Sequence, residues 1–268
     1  MMSTRTTDRA EAGRRGEGPY FSKIIDKGLR ILNLFTPETT SLSLTDIARQ
    51  TRINPTSTFR FVETLVQLGY LRKDARTKLI KLGPMALALG YNIIKSFDLL
   101  QIVKPAVDKA FDRHNVSIDT AVTERGRLVL LYRREVKDTL TFTLPFVSSD
   151  LQCSALGKAY LAALPDKELR TLLAGMPFVR RTPRSLTSQA AVLADVRRTR
   201  ARGYSINNEE YILGLISIGA PLVSENGEVL GAVSFDTTTV QYTIDEAEKL
   251  FAPAVVALAQ EIQPLLSL

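Results

Sequence analysis

The pair Asn54-Pro55 restricts the fold of this chain more than any other feature. Asn is a favoured N-cap, and Pro suits the first helical position, where its missing N–H costs no intrahelical bond. The run "NPTSTFRFVETLVQLG" therefore opens a helix at Pro55, with Phe61, Val62, Leu65, Val66 and Leu68 turned inward and Gly69 as its C-terminal stop. Just ahead lies "SLTDIARQT", where Ser43 and Asp46 come close to a capping box, with Asp in place of Glu, and Leu44, Ile47 and Ala48 form an inner face. Only Arg52 and Ile53 separate the two helices. The first turn of the second helix is spent on Thr56, Ser57 and Thr58, which are mediocre helix formers. That choice suits a helix whose first turn must touch something polar.

Upstream, "SKIIDKGLRILNLFT" places Ile24, Ile25, Leu29, Ile31, Leu32 and Phe35 at helical spacing, and Pro37 follows at its end. Downstream, "YLRKDARTKLIKLG" predicts two short strands, at about 70–73 and 78–82, around a polar turn. The order is helix, helix, tight turn, helix, basic hairpin. That is a winged helix-turn-helix over 21–83, with the helix-turn-helix itself at about 43–62.

Charge follows the same division. The chain carries a formal net charge of +7. Residues 21–83 hold eleven Lys and Arg against five acids, whereas residues 84–268 hold twenty of each. A small basic unit on a neutral body suggests a polyanion-binding head attached to something with another task. A merely solvated basic face is the alternative reading of the charge alone.

The segment "PMALALGYNIIKSF", 84–97, reads as a mostly apolar linker helix. Met85, Leu87, Leu89, Ile93 and Ile94 are too many for a solitary linker, so it either packs on the next domain or pairs with a copy of itself. A helix over 99–114 follows. "SIDTAVTERGRLVLLYRRE" predicts a hairpin turning at Gly126, and "TLTFTLPF" a further strand. "SALGKAYLAAL" reads as a buried helix, and "PDKELRTLL" and "SQAAVLADVRRTRARG" as two more. "GLISIGAPLV" and "EVLGAVSFD" are strands around Asn226-Gly227, and a last helix covers 244–262. Antiparallel strands with helices segregated around them make 98–268 an α+β domain. The length of 268 residues suits one large or two modest domains.

The first 20 residues are polar and Gly/Arg-rich, lack the apolar core of a secretory signal, and are expected to form a disordered tail. No run of 18 apolar residues predicts a membrane span. One cysteine, Cys153, cannot form an internal disulfide, and cytoplasmic residence is the simplest expectation. A single Cys and a single His, His114, do not suffice for a protein-only structural zinc site, so no metal or other cofactor is expected.

Several blocks are recognisable in combination: "GLRILNLF", "SLTDIARQT", "ETLVQLGYL", "KLGPMALALG", "ALGKAYLAALP", "RGYSINNEEYILGLISIGAPL" and "GEVLGAVS". Through them the chain resembles the IclR family of bacterial transcription regulators along about 21–268. The resemblance implies a winged helix-turn-helix joined by a linker helix to a GAF-like effector-binding domain. It also implies homodimers, often paired into tetramers, and control by a small metabolite. Two departures stand out. Arg52 replaces the glycine usual in the turn, at a cost of roughly 1–2 kcal/mol if its φ is positive. Gln152-Cys153 stands where many relatives carry His ahead of the Ala-Leu-Gly-Lys block, which argues against a metal near the pocket.

A recognition helix enters the major groove N-terminus first. Thr56, Ser57, Thr58, Phe59 and Arg60 are therefore the candidate DNA contacts, with Thr45 on the preceding helix. Arg60 can bridge O6 and N7 of a guanine or clamp a phosphate. Phe59 can touch a thymine methyl or pack inside. Arg72, Lys73, Arg76 and Lys78 on the wing meet backbone or minor groove, or form a solvated hairpin.

For the second domain, the resemblance implies a pocket between the sheet and the loop before "ALGKA". Carried over position by position, the amides of Ala155 and Leu156 face an acidic ligand at a helix start, and Asn207, Ser217, Ser234 and Asp236 line the site. Relatives that bind small oxoacids tend to carry Asp, Cys and Ser where this chain has Asn207, Ser217 and Asp236. Leu151, Leu156, Leu215 and Phe235 are placed to close around a carbon body, which favours an aromatic or branched acid over a two-carbon one. The alternatives are ordinary strand roles for Ser217 and Ser234 and an Asx-turn for Asn207. Cys153 reads as inert rather than redox-active.

The expected function is a DNA-binding transcriptional regulator that binds a pseudo-palindromic double-stranded operator. A small, anionic, aromatic or oxo acid tunes its affinity. An architectural DNA-binding protein without an effector is the rival. A hydrolase is poorly supported, because His114 is the one available base.

Overall fold

A computed structural model describes residues 20–36, 39–96, 98–124, 126–136, 147–148 and 150–266. The expected disordered tail, apart from Tyr20, and the expected strand over 139–146 lie outside the described residues. The chain divides into two compact units, with the division after Ser96.

The first unit begins with α1 (Lys23–Leu32), α2 (Leu44–Thr51) and α3 (Pro55–Gln67). Each helix starts on a side-chain cap. Ser22 accepts from the Ile25 amide, Ser43 from Asp46 at 3.1 Å, and Asn54 from Ser57 at 2.8 Å. Such caps satisfy amides that have no intrahelical partner. The Ser43 hydroxyl also donates to the Asp46 carboxylate at 2.6 Å, which in turn pairs with Arg49. Between α2 and α3, Arg52 has φ 56° and ψ 31°. The arginine adopts the left-handed geometry of the turn, so the tight connection is kept and the conformational cost is carried.

After α3, Gly69 at φ +77° turns the chain into β1 (Leu71–Lys73), which pairs antiparallel with β2 (Ile80–Leu82). Leu42 adds a bridge to Ile80, extending the hairpin. The core is Ile31, Leu42, Ile47, Ile53, Val62, Leu71 and Ile80, all buried. One inward assignment, that of Leu68, is corrected. Ile24, Ile25 and Leu29 are exposed, so α1 buries little beyond Ile31, and Leu68 is also exposed, because α3 ends there. α4 (Pro84–Ser96) closes this unit.

The second unit contains α5 (Asp98–His114), β3 (Ser117–Glu124), β4 (Arg127–Arg134), β5 (Val147–Ser148), a 3-10 turn at Leu151–Cys153, α6 (Ala155–Ala163), α7 (Asp166–Gly175) and α8 (Gln189–Arg202). It ends with β6 (Ser205–Asn208), β7 (Leu215–Val223), β8 (Val229–Thr238) and α9 (Ile244–Leu266). The strands form one antiparallel sheet in the order β5-β4-β3-β8-β7-β6.

Each face of the sheet carries its own core. Ile118, Ile216, Ile218, Val233 and Phe235 pack with α5 and α9. Ala121 and Ala232 pack on the other face with α6, α7 and α8. Because both faces are covered, β7 reads as a continuous apolar run instead of an alternating one. From Ala155 to Ala162 every residue of α6 is buried, as its apolar sequence predicts.

Candidate functional site

The capped start of α3 presents a narrow surface. Thr56, Phe59 and Arg60 are exposed, with Phe59 at 47%, and Thr45 is exposed at the start of α2. Ser57 is half-buried. Thr58 is a correction: it is fully buried at 0% exposure, and its hydroxyl donates to the carbonyls of Asn54 at 3.0 Å and Ile53 at 3.3 Å. Four residues after the cap, the helix points inward, and a short hydroxyl there ties the turn to the helix. It cannot contact DNA.

On the wing, Arg72, Lys73, Arg76 and Lys78 are all exposed. Asp74 shapes the turn by accepting from the amides of Arg76 at 3.0 Å and Thr77 at 2.7 Å, and Lys78 sits at φ 60°. Lys73 lies 3.7 Å from Glu63 of α3, which links wing and helix.

In the second unit the strand register gathers the expected polar residues. Asn207 pairs with Ser217, and Ser217 with Asp236, in one row across β6, β7 and β8. Asp119 pairs with Ser234 in a parallel row, and with Arg133 on β4. Alternation along the strands puts all of these on the face covered by α6, because Phe235 and Ile218 occupy the other. Phe235 is therefore corrected: it belongs to the α5/α9 core and cannot line this site.

The Ser234 hydroxyl donates to the Asp236 carboxylate at 3.0 and 3.2 Å. Asp119 holds Arg133 through two bonds, from Nε at 2.7 Å and Nη2 at 2.6 Å. Burial, and then the charge of Asp119, push the Asp236 carboxyl up to about 7, against the hydrogen bonds from Ser217 and Ser234 and the pull of Arg133. Asp236 still keeps some solvent-accessible surface although it lies deep. A side chain in that position lines a space that water can enter.

The start of α6 lies against the same sheet. Ser154 caps it by accepting from Gly157 N–H at 3.1 Å, and the amides of Ala155 and Leu156 occupy its first turn. Gly219 permits the approach, since a Cβ there would stand 2.8 Å from the Ala155 carbonyl oxygen. That oxygen accepts from Ser205 at 2.6 Å. Asn207 is 1% exposed; its carboxamide oxygen accepts from Glu210 N–H at 2.9 Å, while its Nδ2 has no partner. The Asx-type turn is thus present, and it occupies only half of the carboxamide.

Sequence reasoning did not find Asp119, Arg133, Lys158, Asp195 or Glu210. Lys158, 3% exposed, donates to the Ile206 carbonyl at 2.7 Å and Glu210 at 2.6 Å and lies 3.2 Å from Asp195. A lone lysine in "ALGKAYLAAL" and a lone aspartate in "SIDTAV" were the available signals. Cys153 is buried, and burial raises its thiol, as suits an inert side chain. His114, half-buried, meets the Phe235 ring in a tilted contact with the centroids 5.6 Å apart.

Two family models match the chain: "IclR helix-turn-helix domain" over 24–75 and "Bacterial transcriptional regulator IclR C-terminal" over 91–264. The chain belongs to the IclR family. It is 28% identical to the Pca regulon regulatory protein of Pseudomonas putida, covering 91% of this chain and 84% of that one. It is also 28% identical to the HTH-type transcriptional regulator BhcR of Paracoccus denitrificans, covering 98% and 94%. Among solved structures, the IclR homolog from Microbacterium hydrocarbonoxydans complexed with 4-hydroxybenzoate superposes with a TM-score of 0.70 at 22% identity, covering 90% of this chain and 99% of that one. At that identity the likeness shows the fold.

This IclR-family chain is a transcriptional regulator rather than an enzyme, as the named roles of its relatives establish. Among the described residues no helix is long and apolar enough to cross a membrane, and no group of three or more His, Cys, Asp or Glu could hold a metal ion.

Proposed function

We propose that this regulator reads a pseudo-palindromic operator through the exposed edge of α3, and that a small carboxylic acid bound under α6 tunes that reading. The exposure of Thr56, Phe59 and Arg60 on a capped helix whose other side is core carries the first half. Arg60 supplies the bidentate contact to guanine, Phe59 meets a thymine methyl, and Thr45 and Ser57 meet phosphate. The basic wing, Arg72, Lys73, Arg76 and Lys78, follows the backbone and sets the salt dependence. The protein works where the chromosome is, in the cytoplasm.

A second copy completes the reader. Ile24, Ile25 and Leu29 of α1, with Leu89 of α4, border an apolar groove of about 780 Å³ in the first unit. A self-complementary pairing through these α1 and α4 residues doubles the head, as a dyad requires, and leaves Ser57 and Arg60, which line another part of the same groove, to the DNA. Pairing of dimers into a tetramer follows from the family resemblance.

For the second half, Ala155 and Leu156 offer amides to a carboxylate, and Asn207, Ser217, Ser234 and Asp236 fix the remainder of the ligand. The family fold accommodates a hydroxylated aromatic acid in the Microbacterium homolog.

Selection of duplexes from a random pool with the full chain, followed by footprinting, tests the reading. A short dyad with half-sites about one helical turn, roughly 34 Å, or a multiple apart is expected. Protection that spreads along DNA without sequence preference would overturn it. A thermal-shift screen of aromatic acids and small oxoacids tests the effector half, because binding to the native state raises stability by mass action.

A further inference from the structure

We propose that the effector carries, on the side remote from its carboxylate, a hydrogen-bond donor that Asp236 accepts. This rests on the reading above that the site takes a carboxylic acid, and it narrows the class to acids bearing a hydroxyl or amino group.

The argument starts from how Asp236 is surrounded. An ionised carboxylate has about four acceptor sites. Ser234 supplies one hydroxyl, at 3.0 and 3.2 Å, and Ser217, its partner across β7 and β8, supplies another. The nearest cation does not supply the rest, because Asp119 holds Arg133 by both Nε and Nη2. Asp236 therefore keeps acceptor capacity, and its residual accessible surface shows that this capacity borders a space. Burial and the neighbouring Asp119 charge raise its pKa, and the hydroxyls of Ser217 and Ser234 do not offset them. Above about pH 7, where this carboxyl is ionised, a ligand that placed only carbon there would leave a buried charge uncompensated, which is costly.

Spacing sets where on the ligand the donor must lie. Gly219 lies against the start of α6, and Ser217, opposite Asp236, is two residues further along β7. Two strand residues span roughly 7 Å. A benzene ring with substituents para to one another bridges a comparable distance, with its carboxylate at the Ala155 and Leu156 amides and its donor at Asp236. Asn207 stands in the same row, with Nδ2 buried and without a partner. It offers a donor to any further acceptor on the ligand, the complement of what Asp236 requires.

Calorimetry on the full chain at pH 8 with benzoate, 4-hydroxybenzoate and 4-aminobenzoate decides the matter. Wild type is expected to bind 4-hydroxybenzoate at least tenfold more tightly than benzoate, with 4-aminobenzoate on the same side. In Asp236→Ala and in Asp236→Val, each verified as folded by its thermal melt, that ratio is expected to fall to within threefold of one. Equal binding of benzoate and 4-hydroxybenzoate by wild type overturns the proposal alone. A preference that survives both substitutions assigns the donor elsewhere and also overturns it. Failure of all three acids to bind overturns the acid-site reading, and this proposal with it.

Discussion

Lys158 Nζ lies 2.6 Å from Glu210 Oε1 and 3.2 Å from Asp195 Oδ2, in a position 3% exposed, and so ties α6 to α8 and to the loop after β6. It also holds the Ile206 carbonyl at 2.7 Å, beside Asn207. Removing one member of a buried ion group leaves the others uncompensated, at roughly 3–5 kcal/mol. Lys158→Met is expected to destabilise the protein by about that amount, read as a shift in the urea midpoint. A loss below about 1 kcal/mol would mean that the acids find other partners.

Thr58 and Arg60 stand two positions apart and should fail in opposite ways. Thr58→Val removes the hydroxyl that serves the Asn54 and Ile53 carbonyls, and is expected to cost about 1 kcal/mol of stability with operator preference unchanged. Arg60→Ala is expected to leave stability within about 0.5 kcal/mol and to lose roughly 1–3 kcal/mol of discrimination at one base pair per half-site. Melting curves beside a gel-shift series on substituted operators separate the two.

What the sequence made legible was local. Asn54-Pro55, Ser43 and Gly69 mark helix ends by short-range chemistry, and all three do so in the structure. Thr58 was not legible as a core residue, because a hydroxyl in a helix's first turn reads equally as a contact or as an internal tie. The facing of Phe235 followed from strand alternation, since Ser234 and Asp236 flank it and point the other way. The Asp119–Arg133 pair and the Lys158–Glu210 pair depend on register and on chain segments far apart, 52 residues in the second case. A lone charge in an apolar run announces that a partner exists without saying where it is.

The apolar surface of the first unit predicts association. Ile24, Ile25 and Leu89 are 71%, 64% and 50% exposed around one groove, more than a solitary head would leave in water. Sedimentation of wild type at micromolar concentration is expected to show a dimer or tetramer. Ile25→Asp is expected to weaken operator affinity at unchanged half-site preference, by uncoupling the two heads. A stable wild-type monomer would refute the pairing.

Asp236 gives stability a pH dependence with a definite sign. Its carboxyl titrates near 7 in the folded chain, above the ordinary value of 3.8, so between those limits the folded state keeps a proton that the unfolded chain has lost. Stability therefore falls as pH rises through that window. The charged groups facing it are Asp119, which opposes ionisation, and Arg133, which favours it but is shared with Asp119 and with Glu135 at 3.7 Å. Asp236→Asn cannot ionise, and is expected to be more stable than wild type at pH 8 by up to about 4 kcal/mol, with most of that advantage gone near pH 4. The raised carboxyl of Glu210 contributes equally to both proteins and cancels in the comparison. Ligand-free urea titrations at the two pH values measure it, and parallel pH profiles for the two proteins would place the titration elsewhere.

Control of DNA binding by the second unit requires a coupling free energy, and coupling is reciprocal. If an acid bound under α6 changes operator affinity by some factor, operator must change the acid's affinity by the same factor, and about 1–3 kcal/mol corresponds to 5- to 150-fold. Ser217→Leu supplies the control, because Ser217 is 3% exposed in the row between Asn207 and Asp236, and a leucine there fills the space that the ligand needs. Calorimetry with 4-hydroxybenzoate, with and without operator, is expected to give different dissociation constants for wild type and no binding for Ser217→Leu. The variant is expected to hold operator with the affinity of ligand-free wild type. Unequal factors in the two directions would mean that the titrations had not reached equilibrium, since the binding cycle must close, and equal ligand affinity in all four titrations would show that the acid binds away from Ser217 and without reference to DNA.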